Sequence, residues 1–139
     1  MESAKYTTSR TTQFAEGDSS GIIHFSNFAV YIEEAEHQIL DFLGYAVEVK
    51  DSYSLHWPRL QFSATYTEPL FPFEEIEIEL TPKTIGKTSI IWEWEILRKS
   101  DEKQVANGEM KVVCCRKVKG VLSSVPLAQE LKDKLNDLT

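Results

Sequence analysis

The strict alternation of glutamate and aliphatic residues between positions 75 and 80 constrains the fold of this chain more than any other feature. Ile76, Ile78 and Leu80 alternate there with three glutamates. A period of two places the apolar side chains on one face of a strand and the carboxylates on the other. One face is therefore expected to be buried and the other solvated, which is typical of an antiparallel sheet.

Three further segments share this period and predict three more strands. They contain the alternating rows Leu60 to Tyr66, Ile90 to Ile96 and Ala106 to Cys114. A polar connection at positions 99–102 separates the last two rows, so the last three strands are expected to form an antiparallel meander. The tryptophans at 92 and 94 are interpreted as core packing under a helix. Tyr6 to Phe14, rich in threonine and aromatic residues, predicts the first strand.

One long amphipathic helix is expected between the first strand and the others. Apolar residues recur at helical spacing, with acidic residues between them, over roughly Asn27 to Leu43. Ser26 or Asn27 can cap its start, and Gly44 can end it in a left-handed conformation. A short second helix is expected to begin near Pro126. A single helix needs a sheet to cover its apolar stripe, so the fold class is expected to be α+β.

Length and charge exclude several classes of protein. The chain has 139 residues and a formal net charge of -7, and we expect one domain over residues 1–139. An acidic balance is the wrong sign for a general binder of nucleic acid or anionic membranes. Without an apolar run of membrane length or a secretory signal, a cytoplasmic protein is expected. The adjacent Cys114 and Cys115 indicate neither a disulfide framework nor a metal site, and the isolated His37 and His56 are interpreted as surface or packing residues.

An acidic residue lies in the turn that precedes the long helix. Asp18 stands within a segment of glycine and serine, and composition alone predicts that it serves only the turn. The alternative is a functional role. Free amides at the start of a helix polarise a carbonyl group, and a nearby carboxylate supplies a base or a nucleophile.

The segment around Asp18 resembles a known family. The pattern Asp18-x-x-Gly21, then two aliphatic residues, one further residue, an aromatic residue and x-Asn27-aromatic, opens a helix that contains Glu34-Ala35. This pattern is similar to that of the 4-hydroxybenzoyl-CoA thioesterase family of hotdog-fold proteins. The resemblance implies a curved antiparallel sheet wrapped around one long central helix. It also implies an acyl-CoA thioesterase that works as a dimer or tetramer, with its sites between subunits.

Roles in that family carry over residue by residue. Asp18 would attack the thioester carbonyl or activate the water that does so. The backbone N–H of Phe25 would hold the thioester oxygen, Gly21 would let the backbone pass close to the acyl group, and Asn27 would organise the loop. His24 stands where many members have an aromatic residue, a departure that affects the acyl pocket.

Coenzyme A belongs to the expected substrate, and no separate cofactor or metal is expected. Its phosphates require cations, and the concentrated positive charges lie at Lys83, Lys87, Arg116 and Lys117. The family offers no one-to-one match for these four residues. Two alternatives stay open beside the acyl-CoA thioesterase. One is a protein that hydrolyses acyl-carrier-protein thioesters or only binds acyl groups, and the other is a structural oligomerisation module.

Overall fold

The computed structural model describes residues 6–45 and 55–137. Strand β1 (Tyr6–Thr11) leads through a 3₁₀ turn (Phe14–Glu16) into the long helix α1 (Ser26–Phe42). The elements that follow are β2 (Arg59–Tyr66), β3 (Glu75–Ile85), β4 (Ser89–Arg98), β5 (Gln104–Val113), β6 (Cys115–Val118), β7 (Val121–Ser124) and α2 (Gln129–Asn136). Within the described residues, no helix is both long and apolar enough to cross a membrane.

Five strands form one antiparallel sheet in the order β1-β3-β4-β5-β2. The neighbours β3, β4 and β5 are consecutive in sequence, which confirms the predicted meander. The register pairs Ile78 with Ile96 and Glu79 with Glu95, so apolar side chains share one face and carboxylates the other. The remaining strands, β6 and β7, pair only with each other.

The apolar face of the sheet packs against α1 and forms the core. The helix buries Tyr31, Ile32, Ala35 and Ile39 almost completely. The sheet contributes buried side chains from the predicted rows, which include Ile76, Ile78, Leu80, Ile90, Trp92, Trp94 and Ile96. This arrangement confirms the α+β class and the structural interpretation of both tryptophans. It matches the hotdog arrangement of one long helix against an antiparallel sheet.

Helix α1 ends as the sequence predicts. Gly44 adopts a left-handed conformation with φ of +91°. Its N–H donates to the carbonyl of Asp41 at 3.0 Å, and the N–H of Tyr45 donates to the carbonyl of Leu40 at 2.7 Å. These two bonds form a Schellman motif, which satisfies carbonyls that the helix end would otherwise leave free.

Two local predictions differ from the structure, and one element was not predicted. The first strand ends at Thr11, before Phe14, because the chain turns into the 3₁₀ helix. Helix α2 begins at Gln129, since the preceding residues are extended and the N–H of Leu127 donates to the carbonyl of Lys87. The hairpin of β6 and β7 was not predicted. Lys119 and Gly120, both at positive φ, form its two-residue turn.

One carboxylate lies within the core. The side chain of Glu36 on α1 is fully buried, and its Oε1 forms an ion pair of 2.7 Å with Arg59 Nη2. Burial raises the pKa of Glu36 from its ordinary value of 4.5 to about 7, although the Arg59 guanidinium and the Trp92 side chain act in the opposite direction. The folded state therefore favours the neutral carboxyl group more than the unfolded state does.

This burial predicts a loss of stability as the pH rises. Between pH 4.5 and about 7 the folded chain holds a proton on Glu36 that the unfolded chain has released. We expect the free energy of unfolding to fall by up to about 3 kcal/mol across this window and to level off above it. In Glu36→Gln this component should be missing. The variant should therefore gain stability relative to the parent from pH 5 to pH 8. Urea denaturation at four pH values measures it.

The control is Glu33→Gln. Glu33 Oε2 also contacts Arg59 Nη2, at 3.2 Å, but its side chain is half exposed. Glu33→Gln should retain most of the pH dependence of the parent, because burial is the main cause of the raised Glu36 pKa and the Glu33 charge adds less. Contributions from other titrating groups cancel when the two proteins are compared. If the free energies of unfolding of the parent and Glu36→Gln changed equally with pH, the assignment of the pH dependence to Glu36 would be wrong.

Candidate active site

The segment between β1 and α1 folds back on itself to form a tight turn. Residues Gly17 and Ile23 pair as an isolated antiparallel bridge. Inside it, the Asp18 N–H donates to the carbonyl of Ile22 at 2.7 Å, and the Gly21 N–H donates to the carbonyl of Asp18 at 3.0 Å. Asp18 therefore opens a turn whose two ends are held together by backbone hydrogen bonds.

The Asp18 carboxylate is half-buried and only partly engaged. Its Oδ1 accepts the N–H of Ser20 at 2.7 Å, the arrangement of an Asx turn. Within residues 6–45 and 55–137 this carboxylate has no other hydrogen-bond or ion-pair partner. The Ser20 bond fixes the orientation of the side chain, while the second oxygen stays open to a substrate or a water molecule.

Gly21 occupies a backbone conformation that suits glycine. Its φ is +81°, and no heavy atom lies within 4 Å of the place where a Cβ would stand. The turn thus needs glycine for its conformation, and the space in front of this backbone is empty.

The start of α1 is capped in a way that differs from the sequence prediction. Neither Ser26 nor Asn27 caps the helix with its side chain, and α1 begins directly after Phe25. The Ser26 N–H donates instead to His24 Nδ1 at 3.2 Å, and the Ser26 hydroxyl lies 2.7 Å from the same nitrogen. His24 is thus the residue that takes up a free amide at the helix start.

Asn27 connects the helix start to the turn. Its Nδ2 donates to the carbonyl of Glu16 at 3.0 Å and to the carbonyl of His24 at 3.3 Å. These bonds place Asn27 inside the loop as an organising residue. The N–H of Phe25, between His24 and the helix, donates no hydrogen bond in the described part of the chain. It is an available donor at the positive end of a 17-residue helix.

A second loop, between β2 and β3, lies against this turn. The Ile23 N–H donates to the carbonyl of Leu70 at 2.7 Å, and the ring of Pro72 packs close to Gly17. Two phenylalanines of this loop are exposed, Phe71 and Phe73, as are Phe14 and Phe25 on the first loop. Exposed aromatic side chains are therefore present on both loops.

The four predicted phosphate-binding residues lie at the other end of the sheet. Thr11, next to the turn, pairs with the first residue of β3, whereas Lys83 and Lys87 lie near or after the end of that strand. The 11 residues of β3 span roughly 35 Å. Arg116 and Lys117 belong to β6, which adjoins Lys87 through backbone bonds of residues 88, 114 and 127. One chain therefore does not bring these cations to Asp18.

The four cations also differ in availability. Lys83 Nζ lies 2.7 Å from Glu109 Oε2 and 3.9 Å from Glu93 Oε1. The hydrogen bond to Glu109 raises the pKa of Lys83. Lys87, Arg116 and Lys117 have no ion pair within the described ranges. These three are the cations that remain free for an anionic ligand.

Residues that could hold a metal do not cluster in the described part of the chain. His37 is half-buried on α1, and burial lowers its pKa. His56 pairs through its backbone with Cys115. Sequence reasoning missed one set of residues beside the turn, Arg10, Glu16 and Tyr31. Their three side chains meet although they lie on different elements, so no spacing along the chain announces them.

Comparisons with known proteins give a consistent result. A family model described as the thioesterase-like superfamily matches residues 13–135. A 1,4-dihydroxy-2-naphthoyl-CoA hydrolase of Crocosphaera subtropica is 24% identical over 111 residues, which cover 77% of this chain and 80% of that protein.

Solved structures resemble the chain over nearly its whole length. A 1,4-dihydroxy-2-naphthoyl-CoA thioesterase from Synechocystis has a TM-score of 0.83 at 19% identity, and the match covers 97% of this chain and 98% of that one. A gentisyl-coenzyme A thioesterase has a TM-score of 0.80 at 20% identity, with 91% and 98% covered. At these identities the two structures establish the fold, and they confirm the one expected from the resemblance.

The conformation of Gly21 predicts the cost of adding a side chain. Gly120 offers a matched comparison, because its φ is +79° and it too has nothing within 4 Å of the Cβ position. Gly21→Ala and Gly120→Ala should each lower the free energy of unfolding by about 1 kcal/mol, since each forces alanine into a left-handed conformation. Urea denaturation measures both. A much larger loss at Gly21 would show that an interaction other than backbone strain depends on this residue.

Proposed function

The chain belongs to the thioesterase-like superfamily, and from that premise we propose that it hydrolyses acyl-CoA thioesters to the free acid and coenzyme A. It is a thioester hydrolase, and the proposal concerns its substrate and its catalytic residues. One observation carries the proposal. The half-free carboxylate of Asp18 opens the turn that leads to the unbonded N–H of Phe25 at the start of α1.

The two groups have complementary tasks in thioester hydrolysis. The Phe25 N–H donates a hydrogen bond to the thioester oxygen as negative charge develops on it, and the positive end of α1 adds to this stabilisation. Asp18 acts either as the base that takes a proton from the attacking water or as the nucleophile that attacks the carbonyl carbon. In both cases the thiolate of coenzyme A leaves. When Asp18 is the nucleophile, a water molecule then hydrolyses the anhydride between the acyl group and Asp18, which releases the free acid. Gly21 and Asn27 keep the turn in the conformation that this chemistry requires.

We propose an aromatic acyl group. The Crocosphaera protein is named for a naphthoyl-CoA, and one of the solved structures for gentisyl-CoA. The exposed Phe14, Phe25, Phe71 and Phe73 supply aromatic surface on the two loops beside Asp18. Stacking on such rings favours a planar aromatic acyl group over a short aliphatic one.

We also propose that the active enzyme is a homodimer joined through β2. This strand lies at an edge of the sheet and pairs on one side only, with β5. Leu60, Phe62 and Tyr66 alternate along it with exposed fractions of 55%, 38% and 47%. Phe62 stacks on Trp94 and Tyr66 meets Phe28 edge to face, so these partly exposed side chains continue the core to the edge of the sheet. A second copy would cover them.

Such a dimer would bring the cations of one subunit close to Asp18 of its partner. Antiparallel pairing of two β2 strands rotates one sheet by half a turn relative to the other. The end that carries Lys87, Arg116 and Lys117 in one subunit then comes to the end that carries Asp18 in its partner. The phosphates of coenzyme A would bind these cations while its thioester reaches the turn of the other subunit.

Asp18→Asn tests the catalytic assignment. Asparagine keeps the size of the side chain and the acceptor for Ser20, but it supplies neither a base nor a nucleophile. With 1,4-dihydroxy-2-naphthoyl-CoA or gentisyl-CoA as substrate, kcat should fall by at least about 100-fold. The release of free thiol measures the rate, and circular dichroism checks the fold.

Asp41→Asn, at the other end of α1, is the control and should keep the parental rate. Parental kcat in Asp18→Asn would exclude the carboxylate from catalysis. If the parent cleaves none of a panel of aromatic and aliphatic acyl-CoAs but cleaves acyl-carrier-protein thioesters, the substrate is the carrier-bound form. Binding of acyl-CoA without any cleavage would exclude hydrolysis of these substrates.

Arg116→Ala/Lys117→Ala tests phosphate binding and the contribution of the second subunit. The double variant should raise KM for the acyl-CoA by about tenfold or more, since two charge-assisted bonds are lost. KM for the matching acyl-N-acetylcysteamine thioester, which has no phosphates, should not change. A mixed dimer with Asp18→Asn subunits should restore hydrolysis at low acyl-CoA concentration, because one of its two sites then has both Asp18 and the cations. If the subunits are shown to exchange and the mixture still does not restore hydrolysis, Asp18 and the cations of one site belong to the same subunit.

A further inference from the structure

Beside the turn lies a polar cluster that the proposed chemistry does not use. Arg10 on β1 forms a two-pronged ion pair with Glu16, with Nη1 at 3.0 Å from Oε1 and Nη2 at 2.8 Å from Oε2. The Tyr31 hydroxyl of α1 donates to Oε1 at 2.8 Å, and the Gln13 N–H donates to it at 2.6 Å. The Glu16 side chain is 13% exposed. A strand, a loop and a helix therefore meet at one carboxylate.

The cluster holds Glu16 in its ionised form. Burial alone would raise the pKa of Glu16, but the hydrogen bonds from Arg10, Gln13 and Tyr31 outweigh burial and keep this pKa below its ordinary value. Arg10 is fixed in turn, because its Nε lies 3.0 Å from Glu34 Oε2 and its guanidinium stands over the Tyr31 ring.

The backbone of the same residue anchors both halves of the candidate site. The carbonyl of Glu16 accepts the His24 N–H at 2.9 Å and Asn27 Nδ2 at 3.0 Å. His24 directly precedes Phe25, the proposed oxyanion donor. Asp18 follows Glu16 by two residues, and the intervening Gly17 pairs with Ile23. The side chain of Glu16 is therefore fixed to β1 and α1, while its carbonyl fixes the chain next to the donor.

We propose that Glu16, held by Arg10, is a positioning residue that sets the distance between the Asp18 carboxylate and the Phe25 N–H. This inference rests on the proposed function, since it gives Glu16 a task only if Asp18 and Phe25 act together on a thioester. Misplacing a reacting group by about 1 Å is enough to lower a rate by about two orders of magnitude. A rigid support is therefore a requirement of the chemistry, and the contacts of Glu16 join β1, α1 and the chain before Phe25.

A purely structural role for Glu16 would have a different signature. It would lower the free energy of unfolding, while kcat per folded molecule would stay unchanged. A positioning role lowers kcat with little change in KM, since Asp18 and Phe25 act on the thioester mainly in the transition state. With a positioning role, the loss of kcat also depends on the presence of Asp18, because Glu16 acts through that residue.

Glu16→Gln is the first test, measured with 1,4-dihydroxy-2-naphthoyl-CoA or whichever acyl-CoA the parent cleaves. Glutamine keeps the length of the side chain but loses the charge and one of the two bonds from Arg10. We expect kcat to fall at least about tenfold and KM to change less than about twofold. Glu33→Gln is the control, since Glu33 lies on the same helix but pairs with Arg59, and it should keep the parental kcat. Arg10→Lys preserves the charge but not the two-pronged geometry, and it should also lower kcat, as Glu16→Gln does.

The double variant Glu16→Gln/Asp18→Asn decides between the two roles. The inference expects Glu16→Gln to change the residual rate of Asp18→Asn less than about twofold. The inference would be overturned if both Glu16→Gln and Arg10→Lys kept the parental kcat. It would also be overturned if Glu16→Gln lowered kcat by the same factor in the parent and in Asp18→Asn. The single variant Asp18→Asn keeps the two proposals apart. If Asp18→Asn is inactive while Glu16→Gln has parental kcat, only the positioning role fails. If Asp18→Asn itself is fully active, the catalytic assignment fails first and the positioning role with it.

Discussion

The packing of α1 against the antiparallel sheet is the interaction on which the rest of the structure depends. Tyr31, Ile32, Ala35 and Ile39 are buried to within 1% of full burial. Each of the two isoleucines stabilises the fold by roughly 1.5–3 kcal/mol when its side chain leaves water. Because the apolar face of the sheet packs against this stripe, the position of α1 relative to β1 and β3 is fixed. The start of the helix is therefore placed by the core, and the carbonyl of Glu16 then holds the chain next to the Phe25 amide.

Local contacts then bring the turn to that fixed helix end. Thr12 is buried where β1 ends, and its hydroxyl donates to the carbonyl of Phe71 at 2.6 Å. Its N–H donates to the carbonyl of Glu74 at 2.9 Å, so the loop before β3 and the loop before α1 share one anchor. Arg98, at the end of β4, holds the loop before β3 from its other side through Glu74 and the carbonyl of Pro69. The half-free Asp18 stands within a frame of satisfied backbone groups, which is what a preorganised site requires.

The sequence predicted those parts of the molecule in which one local pattern decides the structure. Alternation at 75–80 specified a half-buried strand, helical spacing specified α1, and Gly44 specified its end, because each pattern reports burial or backbone conformation directly. The hairpin of β6 and β7 has exposed side chains at nearly every position, so it has no alternation to detect. The helix cap was missed because it depends on the orientation of the His24 ring. The place of Asp18 in a turn before the helix was predicted, whereas Glu16 was not, since its partners come from β1 and α1.

The charge distribution explains why the cations lie where they do. The outer face of the sheet pairs Glu79 with Glu95 and Glu93 with Glu109, and like charges directly opposite each other destabilise a sheet. Lys83 lies between two of these carboxylates and reduces their repulsion, so it serves the sheet itself. An anionic ligand must avoid this face. The β6–β7 hairpin carries its positive charges on a pair of strands outside the five-stranded sheet. In a dimer joined through β2, these charges would meet the Asp18 turn of the partner while the acidic faces remain in solvent. The acidity of the chain is then compatible with the proposed binding of an anionic thioester, because each belongs to a different surface.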